Sequence, residues 1–403
     1  GQVDWYIDEQ GLRLVGNGLS LTMEQVEKVK GGFKVWLYND ELYEDKLELN
    51  LSLKNADILA HEVLVPSILS QDLRQWLGQS LLSGTVKNAQ YYLYTGLSSD
   101  SSSQSELHLN ASQGALQYLP EWPVVSEISG DLFVQNDHVY AQLKSGNSLG
   151  GDLKQTQIVF DGIKSNTLWV QSSVAGSASD AFAYFQHTPL KDVVNNVMTP
   201  WSMTGAHKTE LALSIPLSGE LDALGVDVKT NLINAGLNLQ DIDLAFEKTN
   251  GQISYRNSEG LTSSKIQTQL WQKPVSLNIT SKVHPVGFSS DIAFDGHVEL
   301  ASLKDWLDLS LLNPLSGATD VSGHFKISGE ENGFTGLELQ SKLTGVEVAL
   351  PQPYFKEKLV PQPFKLKVAL KDGQEISLSY GELVNAALHI QEGSLKSGQV
   401  YLG

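Results

Sequence analysis

Lys46-Leu47-Glu48-Leu49-Asn50-Leu51-Ser52-Leu53 places a leucine at every second position. Successive side chains of an extended strand point to opposite faces, so the four leucines share one face and the polar residues the other. An amphipathic helix would space them by three and four instead. The pattern returns at Leu211, Leu213, Ile215 and Leu217, at Ile242, Leu244 and Phe246, and at Val275, Leu277 and Ile279. It continues through Val346, Val348 and Leu350 to Phe364, Leu366, Val368 and Leu370. Turn signals such as Thr249-Asn250-Gly251, Ser258-Glu259-Gly260 and Asp372-Gly373 stand between the runs. The chain therefore reads as mainly β, with some two dozen antiparallel strands.

A longer period overlies the short one. Helix signals run into a small residue plus glycine at Ser83-Gly84, Thr204-Gly205 and Ser322-Gly323, with the glycines 121 and 118 residues apart. Gly130 and Gly251 repeat a second step, 121 residues apart. Such spacing marks tandem supersecondary units. The expected helices are 67–82, with Ser67 as N-cap; 188–198, opened by Thr188-Pro189; and 302–312, opened by Ser302. The expected division is 1–61 for N-terminal strands and 62–181, 182–301 and 302–403 for three repeats. The serine-rich stretch 98–105 is expected as a loop, and the proline-rich 350–364 as an irregular crossing.

Composition narrows the partners. A formal charge of -18 opposes binding to nucleic acid, which draws affinity from Lys and Arg, and opposes docking on anionic membranes. The absence of cysteine removes disulfides and thiolate metal sites, and suits an oxidising compartment. No apolar run is long enough to span a bilayer. The opening Gly1-Gln2-Val3-Asp4, without methionine, and the strand-like Val400-Tyr401-Leu402 read as the ends of an internal segment of a longer chain.

Catalytic and metal signatures are weak. Gly146-Asn147-Ser148-Leu149-Gly150 matches a nucleophile elbow in letters, but a strand rather than a helix follows, so it is expected to be a hairpin turn. The nine histidines are single, with no spacing that presents two ligands on one face, and the acidic stretch 39–45 lacks the ligand alternation of a calcium loop. No phosphate loop or dinucleotide fingerprint occurs, and no cofactor or metal is expected. The eight tryptophans are spread one to a few per repeat, and read as core or rim anchors rather than a sugar-stacking platform.

A sheet with one apolar face must cover that face, by closing, by a second sheet or with a ligand. Three short helices are too few to cover two dozen strands. The expected architecture is an elongated, curved antiparallel β-sheet trough, a repeating β-groove whose inner face takes an apolar ligand. At about 0.8 kcal/mol per methylene, a diacyl lipid with roughly 30 methylenes faces more than about 20 kcal/mol to cross water unaided, which favours lipid as that ligand. By alternation the groove candidates are Leu47, Leu49, Leu51, Leu53, Leu211, Leu213 and Ile215, then Val226, Val228, Ile242, Leu244, Phe246 and Ile266. Further along they are Val275, Leu277, Ile279, Ile292, Phe294, Phe325, Ile327, Leu337 and Leu339. The last are Val346, Val348, Leu366, Val368, Leu370, Ile376 and Leu378. Two other readings stay open: a structural or adhesive β-solenoid with a self-packed core, and a carbohydrate-active enzyme with carboxylates or aromatics clustered on one exterior face.

Three stretches together resemble one family. They are Thr204-Gly205 leading to the strand that ends at Leu217; Tyr118-Leu119-Pro120-Glu121-Trp122-Pro123 leading to Ser129-Gly130-Asp131-Leu132; and Leu350-Pro351-Gln352-Pro353. In order and spacing they are similar to the YhdP branch of the AsmA-like envelope proteins. That resemblance implies a periplasmic bridge of β-groove units, held in the inner membrane by an N-terminal helix outside this chain and carrying phospholipid toward the outer membrane. It implies no catalytic residues.

Overall fold

The computed structural model describes residues 1–23, 26–60, 71–98, 100–118, 120–162, 167–187, 201–216, 224–240, 243–284, 287–307, 312–328, 333–370, 374–391 and 394–403. Among them the chain is mainly β: 24 strands of an open antiparallel sheet and three short α-helices. Two compact units divide it. The first holds Gly1–Gly176, Ala183–Met198 and Glu210–Val226; the second holds Ser177–Phe182, Thr199–Thr209 and Asp227–Gly403.

The first unit is a meander in which each strand pairs with the next. It runs through β1 (Gln2–Asp8), β2 (Gly11–Met23), β3 (Val26–Tyr38), β4 (Lys46–Asp57) and β5 (Leu81–Gly96). It continues through β6 (Ser103–Leu116), β7 (Val125–Gln135), β8 (His138–Ser148), β9 (Gly151–Asp161) and β10 (Thr167–Ser177). The turn from β8 to β9 is the suspected elbow. Leu149 and Gly150 both have positive φ, 46° and 81°, which makes a tight two-residue hairpin. Ser148 lies buried there and accepts a hydrogen bond from Tyr184.

After β11 (Trp201–Pro216), the second unit runs through β12 (Gly225–Leu239), β13 (Leu244–Arg256), β14 (Gly260–Ser263), β15 (Ile266–Leu270), β16 (Lys273–His284) and β17 (Gly287–Glu299). Then come β18 (Leu315–Ile327), β19 (Gly336–Ser341), β20 (Val346–Val348), β21 (Phe364–Ala369), β22 (Gln374–Tyr380), β23 (Val384–Gln391) and β24 (Ser394–Leu402). Among the described residues, strands touch chiefly their neighbours within the sheet.

The helices are α1 (Gln71–Ser80), α2 (Ala178–His187) and α3 (Leu300–Leu307). The first ends at Ser80, before the expected 82, because residues 81 and 82 already belong to β5; the third opens at Leu300, two residues before the expected 302; and residues 67–70 and 308–311 of the expected helices lie outside the described residues. The helix expected at 188–198 lies outside the described residues. The described helix instead precedes it, capped by Ser177, whose Oγ accepts from the Asp180 N–H at 3.1 Å.

The mid-strand bends carry the curvature. Asn55, Gln113, Glu127 and Gln155 in the first unit, and Asn234 and Lys248 in the second, have φ between 47° and 55°, next to register irregularities in most of their strands. These are bulges, which kink a strand and tighten its twist. The residues on the inside of the kinks are small or hydroxylated, such as Ala56, Ala235 and Thr156, and they are buried. Side chains converge on the inside of a bend, so only small ones fit.

The step glycines therefore sit within strands, not at their entrances. Gly205 has φ 91°, and a Cβ there would lie 2.5 Å from the Asn234 carbonyl oxygen and 2.6 Å from the Ala235 Cα. At Gly323 a Cβ would meet the Glu338 carbonyl oxygen at 2.3 Å and also the Phe294 ring at 2.5 Å, so this glycine makes room for both the neighbouring strand and an aromatic. Gly205→Ala combines backbone strain with overlap and is expected to destabilise the chain by about 2–3 kcal/mol, read as a lowered urea midpoint. An unchanged midpoint would show that the bend does not depend on Gly205.

Candidate functional site

Residues paired directly across an antiparallel ladder share a face, so the registers assign every paired side chain to one side. In the first unit one row runs Gly31, Leu51, Tyr91, Leu107, Val134, Val139, Phe160, Leu168. The adjacent row on the same face runs Val29, Leu53, Ala89, Leu109, Leu132, Ala141, Ile158, Val170. Leu47 and Leu49 extend this face through Val35 and Thr95, and through Phe33 and Leu93.

The second unit repeats the arrangement. One row runs Ile266, Leu277, Phe294, Gly323, Leu339, Leu366, Leu378, Ala386, Val400. A second runs Ile279, Ile292, Phe325, Leu337, Val368, Ile376, Leu388, Gly398. Val275 leads a third, and Ile327 lies beyond Phe325, opposite Ser290. Phe246 faces Leu237 and Leu270, Leu244 faces Leu239, and Val228 faces Tyr255. Neither of the two long rows carries a charge, whereas the Phe246–Leu270 row ends at Lys273.

The remaining candidates separate. Leu211, Leu213 and Ile215 alternate along β11 in phase with Thr209, whose hydroxyl meets that of Thr230 at 3.0 Å. Val226 alternates with Val228 on β12. Ile242 lies outside the described residues. Leu370, 44% exposed, follows the end of β21. Val346 and Val348 are 1% and 3% exposed, packed with Leu300 of α3, Leu315 and Tyr380, so they form a closed core cluster and line no open face. Lys356 secures that cluster: its Nζ donates to the Val346 carbonyl at 2.6 Å, and burial pushes its pKa down.

Polar groups on the apolar face are paired with one another. Thr156 with Ser172 at 2.7 Å, Thr249 with Thr268 at 2.8 Å and Thr319 with Ser341 at 3.0 Å are cross-strand hydroxyl pairs. Pairing removes most of the cost of burial. His207 is the exception: its Nδ1 meets Thr209 at 2.8 Å, while its buried Nε2 has no partner among the described residues. Burial pushes its pKa down, against the pull of the Asp180 carboxylate.

The opposite face of the second unit is charged. In the second unit His324, Glu338 and Lys367 form a cross-strand row, and Glu338 takes Lys326 at 2.7 Å and Lys367 at 2.8 Å. His324 meets Asp291 at 2.7 Å. Among the described residues, no group of three or more His, Cys, Asp or Glu is placed to hold a metal, and no helix is long and apolar enough to cross a membrane.

Each unit thus presents apolar cross-strand rows on one face. The family model described as "YhdP protein" matches residues 1–403. The chain belongs to the YhdP family. It is 23% identical over 378 residues to the intermembrane phospholipid transporter YhdP of Escherichia coli (strain K12), a match that covers 91% of this chain and 29% of that protein. The chain thus spans less than a third of the curated relative's length. No solved structure matches it.

Alternation missed several inner positions of the first unit, including Leu132, Val134, Val139, Ile158 and Phe160. Their strands read as unbroken apolar runs: Leu132-Phe133-Val134, Val139-Tyr140-Ala141, Ile158-Val159-Phe160 and Leu168-Trp169-Val170. Such runs do not declare a face. The signal that resolves them is the register, not the hydropathy.

The hydrogen bonds from Lys326 and Lys367 hold the Glu338 carboxyl at about 2, below its ordinary 4.5. A depressed folded pKa adds stability that is complete above 4.5 and lost as pH falls through about 2. The urea midpoint of Glu338→Gln should therefore lie below that of the wild type above pH 4.5 and converge on it near pH 2. A constant gap across that range would show that the ion pairs do not contribute.

Proposed function

We propose that the inner faces of both units hold the acyl chains of phospholipid, as a periplasmic segment of a bridge that conducts lipid between inner and outer membranes. Regions of the protein outside this chain would contact the two membranes. The observation that carries this reading is the set of uncharged apolar rows, eight and nine strands wide, with no facing layer over them among the described residues. Similarity to an intermembrane phospholipid transporter supports the choice of lipid class.

The physical logic is one of partial burial. A side chain such as Leu277 or Leu366 is only half-buried in the empty face, so part of its apolar area still meets water. An acyl chain laid along the row removes that area and its own from water together, at about 25 cal/mol per Å². Because successive strands present equivalent residues, a chain shifted by one strand meets a similar surface. Motion along the sheet then costs little, and no bond chemistry is required. The self-packed solenoid loses support on the same ground: its core would need a second layer to close these rows.

Aspartate at Leu213, Leu244 and Leu277 together puts charge where acyl chains would lie, at a cost of several kcal/mol for each one left unpaired. Phospholipid recovered by extraction and mass spectrometry should fall by at least about tenfold, while Ser276→Asp, one residue away on the opposite face, should leave it unchanged. Equal lipid in both proteins would sink the proposal.

A further inference from the structure

The outer face of the first unit departs from that of the second in one stripe. The residues at the middle of the four apolar runs, Phe133, Tyr140, Val159 and Trp169, are successive cross-strand partners and so line up across β7, β8, β9 and β10. They point away from the apolar inner rows and are 49%, 39%, 40% and 53% exposed. His108 extends the line, its ring stacked on Phe133 at 4.1 Å and 20°. The sheet does not need such residues there. The corresponding face of the second unit is built from His324, Glu338 and Lys367 and their ion pairs.

The next row toward the bends is made of amides. Gln142, Gln157 and Gln171 are consecutive cross-strand partners, exposed, and run parallel to the aromatic stripe. The Tyr140 hydroxyl reaches the Gln142 Oε1 at 3.4 Å. The acid of that row, Asp131, is neutralised by Lys144 at 2.7 Å. In a chain of net charge -18 this is a locally uncharged strip: ring faces beside a line of donors and acceptors.

We propose that this strip binds an extended, neutral polysaccharide. A pyranose chain has apolar C–H faces that stack on aromatic rings and equatorial hydroxyl or acetamido groups that hydrogen-bond to amides, so both rows find their complement in one ligand. Neighbouring strands are about 4.8 Å apart, close to the length of one sugar residue in an extended chain, so a glycan lying across the strands would meet a new side chain at each residue. Charge and width weigh against other occupants. An anionic membrane surface needs Lys and Arg, and the strip offers no unpaired cation. A stable interface with another protein needs about 800 Å² from each partner, more than a strip two side chains wide on four strands supplies. Trp169 is thus a sugar-stacking residue and not the core or rim anchor that its spacing in the sequence implied.

The proposal concerns the outer face and does not depend on what the inner face carries. Its test is co-sedimentation of the whole chain with purified murein sacculi and with chitin, and titration of tryptophan fluorescence with chitohexaose. The wild type should sediment with at least one of the two polymers, and Trp169→Ala with Tyr140→Ala should weaken this by at least about tenfold. Trp169→Phe should keep most of the binding, because it keeps a ring. The Leu277→Asp variant should bind glycan as the wild type does. Unchanged circular dichroism of the double variant separates lost contacts from lost fold, and if that variant does not fold, Gln157→Ala with Gln171→Ala takes its place with the same expected loss. No binding by the wild type, or equal binding by the substituted proteins, overturns the assignment. So does a double variant that instead loses sedimentation with phosphatidylglycerol vesicles or loses self-association, which would give the strip to a membrane or to a second copy.

Discussion

Everything in this sheet depends on keeping one side chain in two on the same side across successive strands. With a side-chain period of two, a register slip of one residue would carry a whole strand's apolar set to the opposite face. The pairings avoid this even where the strands are irregular. Asn55 and Gln113 shift the phase of β4 and β6, and β5 between them has its own irregularity near Val86 and Asn88. Past the kink, Ala56, Val86 and Ala111 still oppose one another. In the second unit Asn234 and Lys248 do the same, and Ala235 meets Thr249. A bulge in one strand is tolerated because its neighbours bulge at the same level.

That alignment has a second consequence. Bulges at one level bend the strands along a common line, and the side chains inside the line must be small. Ala56, Val86, Ala111 and Gly130 succeed one another there in the first unit, with nothing larger than a valine, while Ala235 and the Thr249–Thr268 pair hold the same place in the second. Large apolar side chains are displaced to the rows on the flank of the bend, where Leu107, Phe160, Phe294 and Leu366 have room. The division into a tight crease and a wide flank follows from local backbone geometry, and it leaves the flank as the surface available to a ligand.

The strand content and the face of most second-unit strands were legible because Leu277, Leu366 and their neighbours alternate with polar residues. The first unit was half legible: Leu47 to Leu53 declared a face, while Leu132-Phe133-Val134 did not, since both of its faces are apolar for different reasons. Position along the fold was harder to read than face. Val346 and Val348 alternate as well as any pair in the chain, yet β20 is a short strand packed beneath α3. Ser177 caps α2 through its own side chain, a short signal that hydropathy did not reveal, while the helix expected at 188–198 lies outside the described residues.

In a single-layer sheet the outer face is under little constraint from folding, because it packs against water. Polar residues with cross-strand ion pairs suffice there, as Lys34 with Glu48 in the first unit and Glu338 with its two lysines in the second demonstrate. Exposed aromatics in such a place stabilise a strand pair by at most about 1 kcal/mol over ordinary residues, and they add an adhesive surface that a monomeric protein normally suppresses. Three of them and a valine in register, with a parallel row of amides, are therefore better explained by a ligand than by the fold. The inner rows are a different case. Their apolar character is needed both to bend the sheet and to receive a chain of methylenes, so composition alone does not separate the two roles, and only occupancy by lipid does.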